Sequence, residues 1–225
     1  MPRFMPLAVV TGANRGIGLA LTELLRQRGW SVVAACRESS PKLVSLGAEI
    51  VAGVDVSTDA GVEKLRKALV GRTVDLLVNN AGILVWDEPL GKLSADGIRK
   101  QFEVNALAPL RITEALLPSL GRGAKVALVT SRMGSIDDNG SGGAYGYRMS
   151  KAALNMAGKS LAVDLKDRGV AVVILHPGMV KTDMVQGHGQ IEPEEAARGL
   201  LARIDELTLE NTGRFFHQNG QPLPW

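Results

Sequence analysis

Short Val-rich apolar runs recur along this chain, and segments with helical patterning separate them. That alternation restricts the fold more than any other feature. LAVV (7–10), SVVAAC (31–36), EIVAGV (49–54), VDLLVNN (74–80), KVALVTS (125–131) and VAVVILH (170–176) read as strands, with RFFHQ (214–218) as a seventh. The runs are apolar on both faces, as a sheet covered by helices on both sides requires. A helix is expected near Gly16 to Arg28, and a shorter one between the second and third strands. Strand–helix alternation implies right-handed crossovers. The expected class is α/β, a doubly wound, mostly parallel seven-stranded sheet with helices on both faces. No linker, repeat or low-complexity tract interrupts the pattern, so residues 1–225 read as a single domain.

Composition removes several functional classes. Hydrophobic residues make up 45% and charged residues 22%, a soluble globular profile. A net charge of +3, spread evenly, argues against nucleic acid or an anionic membrane as partner. No apolar run approaches membrane-spanning length. MPRFMPLAVV has too short an apolar run, and no convincing cleavage site, for a signal peptide. Cys36 is the one cysteine, which excludes an internal disulfide and fits a reducing compartment. His176, His188 and His217 are scattered, without metal-ligand spacing. The expectation is a cytoplasmic, metal-free protein.

TGANRGIG (11–18) lies between the first strand and the first helix. Glycines at Gly12, Gly16 and Gly18 permit a tight turn and close approach of a pyrophosphate to the helix N-terminus. Free N–H groups and the helix dipole favour an anion there. Loop geometry alone is the bland alternative, but the strand–turn–helix context favours a nucleotide. Ribose recognition is expected about 20 residues further on. There the chain reads AACRESS, where Cys36 closes the strand, Arg37 follows, and Glu38 is the available carboxylate. The planar guanidinium of Arg37 suits a 2′-phosphate, with Arg15 as a second cation, so NADP(H) is expected over NAD. Arg37 and Glu38 as solvated loop charges are the competing reading.

GGAYGYRMSKAAL (142–154) holds both tyrosines of the chain and reads as a turn entering a helix. Positions four apart share a helix face, so Tyr147 pairs with Lys151, whereas Tyr145, six before it, points elsewhere. By itself this could be a buried aromatic beside a surface lysine.

Taken in order, these motifs resemble those of the short-chain dehydrogenase/reductases over essentially the full length, with a Rossmann-type fold implied. TGANRGIG is similar to that family's cofactor turn, NNAG (79–82) to its fourth-strand motif, and Tyr147-x-x-x-Lys151 to its catalytic pair. Asp55 matches the acid that bonds adenine, Asn105 the helix asparagine, Ser131 the catalytic serine, and HPGMVKT (176–182) the segment bordering the nicotinamide. The resemblance implies catalysis by Ser131, Tyr147, Lys151 and Asn105. It implies cofactor contacts from Gly12, Asn14, Arg15, Gly16, Ile17, Gly18, Arg37, Asp55, Val56, Asn79, Ala81, Gly82, Tyr147, Lys151, Pro177, Gly178, Val180 and Thr182, and no metal. The cofactor half would span about 1–120 and the catalytic half about 121–225.

The interval from Ser131 to Tyr147 is longer than the family's common spacing because IDDNGSGG intervenes. With SRMGSI and YRMSKAALNM, it resembles the C-factor-like, carbonyl-reductase-related branch. Ser135 is a rival serine, but Ser131 stands at the strand's C-terminal end, facing the crevice.

Hydride addition to a carbonyl builds negative charge on oxygen. Ser131 would hold that oxygen and Tyr147 protonate it. A phenol titrates near ~10, so an ammonium one turn away is expected to lower it. Asn105 would hold a water leading towards Lys151.

After Pro177-Gly178 comes a short, Met-bearing segment, MVKTDMVQGHGQ, made flexible by Gly187 and Gly189, with Lys181 and Asp183 as its charges. Such a lid implies a broad carbonyl reductase for small or planar apolar substrates. A C-factor-like signalling or nucleotide-sensing protein with little turnover is the alternative. The family's habit of pairing long helices implies a homodimer or homotetramer.

Overall fold

The computed structural model describes residues 5–86 and 89–225. The first four residues of the stretch read for a leader lie outside that range. Seven strands form one parallel sheet: β1 (Leu7–Thr11), β2 (Ser31–Ala35), β3 (Glu49–Val51), β4 (Val74–Asn79), β5 (Leu120–Val129), β6 (Ala171–His176) and β7 (Arg214–His217). Their order across the sheet is β3-β2-β1-β4-β5-β6-β7. The order reverses between β1 and β4, the topological switch point at which doubly wound sheets bind ligands beyond the strands' carboxyl ends.

The apolar alternation along each strand divides the core in two. Val126, Leu128, Val172 and Ile174 point to one face, under α3 (Asp59–Ala68), α5 (Ala108–Ala115) and α6 (Tyr145–Asp164). Val10, Val78, Ala127 and Val173 point to the other, under α1 (Gly16–Gln27), the short α2 (Pro41–Ser45) and α7 (Pro193–Asp205). A fully buried Val or Leu contributes roughly 1.5–3 kcal/mol, so the central strands, buried on both sides, dominate stability. Local sequence sets the helix starts. Ser40 and Thr58 accept backbone N–H bonds as N-caps of α2 and α3, and Pro193 opens α7 at a position needing no N–H.

Two details place the chemistry. A Cβ on Gly158 would come within 2.6 Å of Ile174 and 2.7 Å of Leu128, so α6 lies unusually close on β5 and β6. Between α4 (Ala95–Phe102) and α5 the helix makes one wider, π-type turn over Glu103–Leu107. Such turns insert an extra residue and re-aim side chains, commonly at functional sites. Here the re-aimed side chain is Asn105. β5 begins five residues earlier than the apolar run suggests, because Leu120 pairs with Val74 across an irregularity that accommodates Gly121–Gly123.

Candidate active site

The glycine turn is built by its neighbours. Thr11 Oγ1 accepts the N–H groups of Asn80 and Ala81, both at 3.0 Å, while Asn80 Nδ2 donates to the Thr11 carbonyl at 2.9 Å. Ser40 Oγ donates to the Asn14 carbonyl at 2.8 Å, fixing the turn from the β2 side. A Cβ on Gly18 would run into the Gly12 carbonyl oxygen, and Gly12 itself has φ +65° with Ala81 close behind it. No side chain caps α1 at Arg15, and no acidic residue sits in its first turn. The helix therefore presents open N–H donors and the positive end of its dipole to an anion.

Asp55 and Arg37 form the outer rim. Asp55 Oδ1 accepts from Ser57 N at 3.0 Å and Ser57 Oγ at 2.6 Å. Those bonds, then the Arg37 guanidinium and Lys100, hold its carboxyl below the usual range. Arg37 is exposed and Val56 buried. Arg15 departs from expectation: its guanidinium pairs with Asp183 of the lid at 3.0 Å, both side chains being exposed. The two asparagines of NNAG also divide their labour. Asn80 clamps the glycine turn, whereas Asn79 is buried, donates to Thr113 Oγ1 at 3.1 Å, and keeps an Oδ1 with no partner among the described residues. The clamp by Thr11 and Asn80 was missed by the sequence reading; a polar residue closing each of the two central strands was its only signal.

Beyond the switch point, Ser131, Tyr147 and Lys151 come together, exposed by only 8%, 9% and 4%. Ser131 leaves the end of β5 as the cap of a short turn over Arg132–Gly134. Gly134 has no room for a Cβ, which would lie 2.6 Å from the Lys151 backbone, so this loop docks directly on α6. Ser131 and Tyr147 are close enough for the serine hydroxyl to favour the ionised phenol. Lys151 Nζ donates to the Val129 carbonyl at 3.0 Å and lies 5.7 Å from the Tyr147 ring centroid. Asn105 is fully buried; its Oδ1 accepts from Ile83 N at 2.8 Å, and its Nδ2 donates to the Ile83 carbonyl at 2.8 Å and Ser150 Oγ at 3.0 Å. Gly82 separates Asn105 from Lys151: a Cβ there would stand 3.2 Å from Asn105 Oδ1 and 3.6 Å from Lys151 Nζ.

The electrostatics correct one expectation. Burial raises the Tyr147 phenol, and the Ser131 hydroxyl, rather than Lys151, is what opposes that rise. Burial instead pushes Lys151 down to about 8. The physical reason is shared desolvation: a charged form of either group loses water without gaining a counter-ion among the described residues. His176, at the end of β6, is pushed down to about 3, chiefly by burial and then by His217. Its ring meets His217 edge-on at 4.9 Å.

Ser135, the rival serine, is engaged in holding its own loop. Its Oγ donates to the Trp225 main-chain oxygen at 3.0 Å and accepts from Asp138 N at 3.1 Å. Tyr145, half-buried, opens α6 two residues before Tyr147.

The lid is more ordered than its glycines suggest. Lys181 N donates to the Ile191 carbonyl at 2.9 Å, and Gln190 N to the Met179 carbonyl at 2.6 Å. Gly189 is required by contact, since a Cβ would strike Lys181 N. Lys181 pairs with Glu192 at 2.6 Å. Thr182 sits against Gly16, so the segment after Pro177-Gly178 borders the nucleotide turn, and Met179 and Met184 remain exposed. Val180 is buried and bridges to Ile191. Among the described residues no group of three or more His, Cys, Asp or Glu is arranged to hold a metal, and no helix is long and apolar enough to cross a membrane.

Residues 6–192 match the family profile described as short chain dehydrogenase. The chain is 45% identical over 227 residues to the 1-hydroxy-2-glutathionyl-2-methyl-3-butene dehydrogenase of Rhodococcus sp. (strain AD45), covering 98% of this chain and 100% of that protein. It is 49% identical over 154 residues to the C-signal of Myxococcus xanthus, covering 68% and 93% respectively. The crystal structure of NADPH-bound carbonyl reductase from chicken fatty liver superposes with a TM-score of 0.88 at 29% identity, over 98% of this chain and 99% of that one.

Proposed function

This chain belongs to the short-chain dehydrogenase family, and from that premise we propose that it is an NADPH-dependent reductase of carbonyl compounds, running also from the matching alcohols. One observation carries the reading: Ser131, Tyr147 and Lys151 are buried together at the carboxyl edge of the sheet, beside a helix N-terminus left open for an anion.

The residues fit the cofactor. The glycine turn from Gly12 to Gly18, with Asn14, Arg15 and Ile17, would hold the pyrophosphate. Asp55 and Val56 would border the adenine. Arg37 would meet the 2′-phosphate, while Arg15 joins it only by giving up Asp183. Asn79, Ala81, Gly82 and the segment Pro177, Gly178, Val180 and Thr182 would line the nicotinamide half. NADPH, when bound, supplies the hydride that adds to the carbonyl carbon.

The chain's own groups manage the oxygen. The Ser131 hydroxyl donates to it, and the Tyr147 phenol hands over its proton as charge develops. A buried phenol titrating high holds that proton at neutral pH until the substrate oxygen becomes basic. Lys151, titrating near 8, is charged at neutral pH and, 5.7 Å from the Tyr147 ring centroid, would stabilise the phenolate left behind. Asn105 acts through position. Its amide fixes the Ile83 backbone, so a water relay would have to use the groups around Gly82 rather than a loose asparagine.

The remaining expectations follow the same reading: a single domain, with the cofactor half over about 1–120 and the catalytic half over about 121–225, in the cytoplasm. Assembly as a homodimer or homotetramer is supported by exposed Met149, Met156 and Val163, seven apart on α6.

A second reading, C-signal-like signalling or nucleotide sensing with little turnover, is favoured by the match to that protein over most of its length. NADPH oxidation against a panel of aldehydes, ketones, quinones and glutathione adducts separates the two. Turnover with any carbonyl supports the reductase; tight NADPH binding with no turnover across the panel supports the sensor.

A further inference from the structure

The loop that carries Ser131 is held from two sides, and the second side lies far away in sequence. On the inner side Gly134 docks on α6, and Asn155 Nδ2 donates to the Gly134 carbonyl at 3.3 Å. On the outer side three donors converge on the main-chain oxygen of Trp225: Ser135 Oγ at 3.0 Å, Ile136 N at 2.9 Å and Asp137 N at 3.0 Å. Asp138 closes the loop by taking a two-pronged bond from Arg132, at 2.6 and 3.2 Å.

Trp225 is itself anchored. Its ring stacks on Phe215 of β7 at 5.7 Å, with the planes 29° apart, and Phe215 is only 3% exposed. Two residues earlier, Leu223 is buried in the core and its N–H donates to the Phe215 carbonyl at 3.0 Å. A continuous path therefore runs from the sheet's edge strand, through Trp225, to residues 135–137 and back to Ser131.

We infer that Trp225 is a positioning residue for Ser131: its stacked ring sets where the oxygen stands, and the oxygen sets the Ser131 loop. The physics is that of a preorganised donor. A hydroxyl must be within a fraction of an ångström of the developing oxyanion, and small misplacements cost large factors in rate. Ser131 also adjoins Tyr147, and Gly134 of the same loop packs on the Lys151 backbone, so displacing the loop disturbs both groups that face the substrate oxygen. This inference rests on the proposed reductase reading for its kinetic part and on geometry alone for its structural part.

The test compares Trp225→Ala, Trp225→Phe and Ser135→Ala with the wild-type full chain. Three readouts are taken: amide hydrogen exchange over 131–138, NADPH affinity by fluorescence titration, and kcat at a temperature well below unfolding. Trp225→Ala is expected to speed exchange at Ile136 and Asp137 by at least about 10-fold. It should lower kcat about 10-fold with NADPH affinity little changed. Trp225→Phe, which keeps a stacking ring, should restore both. Ser135→Ala should reproduce part of the effect. Unchanged exchange over 135–137 in Trp225→Ala overturns the brace. Faster exchange with unchanged kcat reduces it to a purely structural contact and also overturns the inference. If the wild type turns over no carbonyl of the panel with NADPH, the reductase reading fails, and the exchange arm still decides whether the brace exists.

Discussion

Replacing Lys151 with Met should make the protein more stable while destroying its proposed activity. Lys151 is 4% exposed, its ammonium donates to the Val129 carbonyl, and among the described residues no carboxylate pairs with it. Burial moves its titration from 10.5 to about 8. At about 1.36 kcal/mol per unit, the charged form costs about 3 kcal/mol in the folded state. Met fills a similar volume without charge, but leaves the Val129 oxygen unpaired at about 1–3 kcal/mol. The net gain at pH 7 is then about 1 kcal/mol, or roughly 2–4 °C in Tm for a chain of this size.

The pH dependence is sharper than the absolute value. Below about 8 the lysine is charged in both folded and unfolded chains, so the wild type carries the full penalty. Between about 8 and 10.5 the folded lysine is neutral while the unfolded one still binds its proton, so wild-type stability rises with pH. From pH 7 to 9.5 the wild type should therefore gain about 2 kcal/mol on Lys151→Met. Urea unfolding of both proteins at those two values measures it. A gap between them that does not change with pH would refute the claim that Lys151 is a desolvated cation.

Arg37→Ala should weaken NADPH about 10-fold, the low end for a charge-assisted bond because Arg37 is exposed, and leave NADH unchanged. Equal wild-type affinity for the two cofactors would rule out 2′-phosphate recognition. Across a carbonyl panel kcat/KM should vary modestly. The lid's two charges are engaged with Arg15 and Glu192, which leaves Met179 and Met184 as its exposed apolar groups. A single substrate standing more than about 10⁴ above its close analogues would show that fixed polar groups in the crevice had been overlooked.

Local signals in the sequence proved dependable because the physics behind them is local. The i,i+4 spacing of Tyr147 and Lys151 fixes their shared face once α6 forms, and both are buried on it. Apolar runs located the seven strands; β3 ends at Val51, short of the run read to Val54, and β5 starts five residues earlier than its run, where Gly121 and Gly123 hide a strand that its neighbour Val74 enforces. Features made by distant partners were not legible. Arg15 and Asp183 are 168 residues apart, and Ser135 meets Trp225 across 90. The π-type turn at Asn105 differs from an ordinary helix by a register that no residue pattern announces. Burial explains the remaining miss. An ammonium one turn from a phenol suggests a lowered phenol, but when both are desolvated each resists its own charge, and Lys151 yields first.

The account turns on Tyr147 as the proton donor, and the direct measurement is single-site kinetics on the two tyrosines with NADPH affinity read in parallel. Tyr147→Phe should keep NADPH affinity nearly intact and lower kcat by about 10²–10⁴-fold, as loss of a general acid does. Tyr145→Phe, altered on a different side of α6, should retain most of its turnover. Equal losses in the two variants, or a Tyr147→Phe protein that still turns over at close to the wild-type rate, would contradict the account.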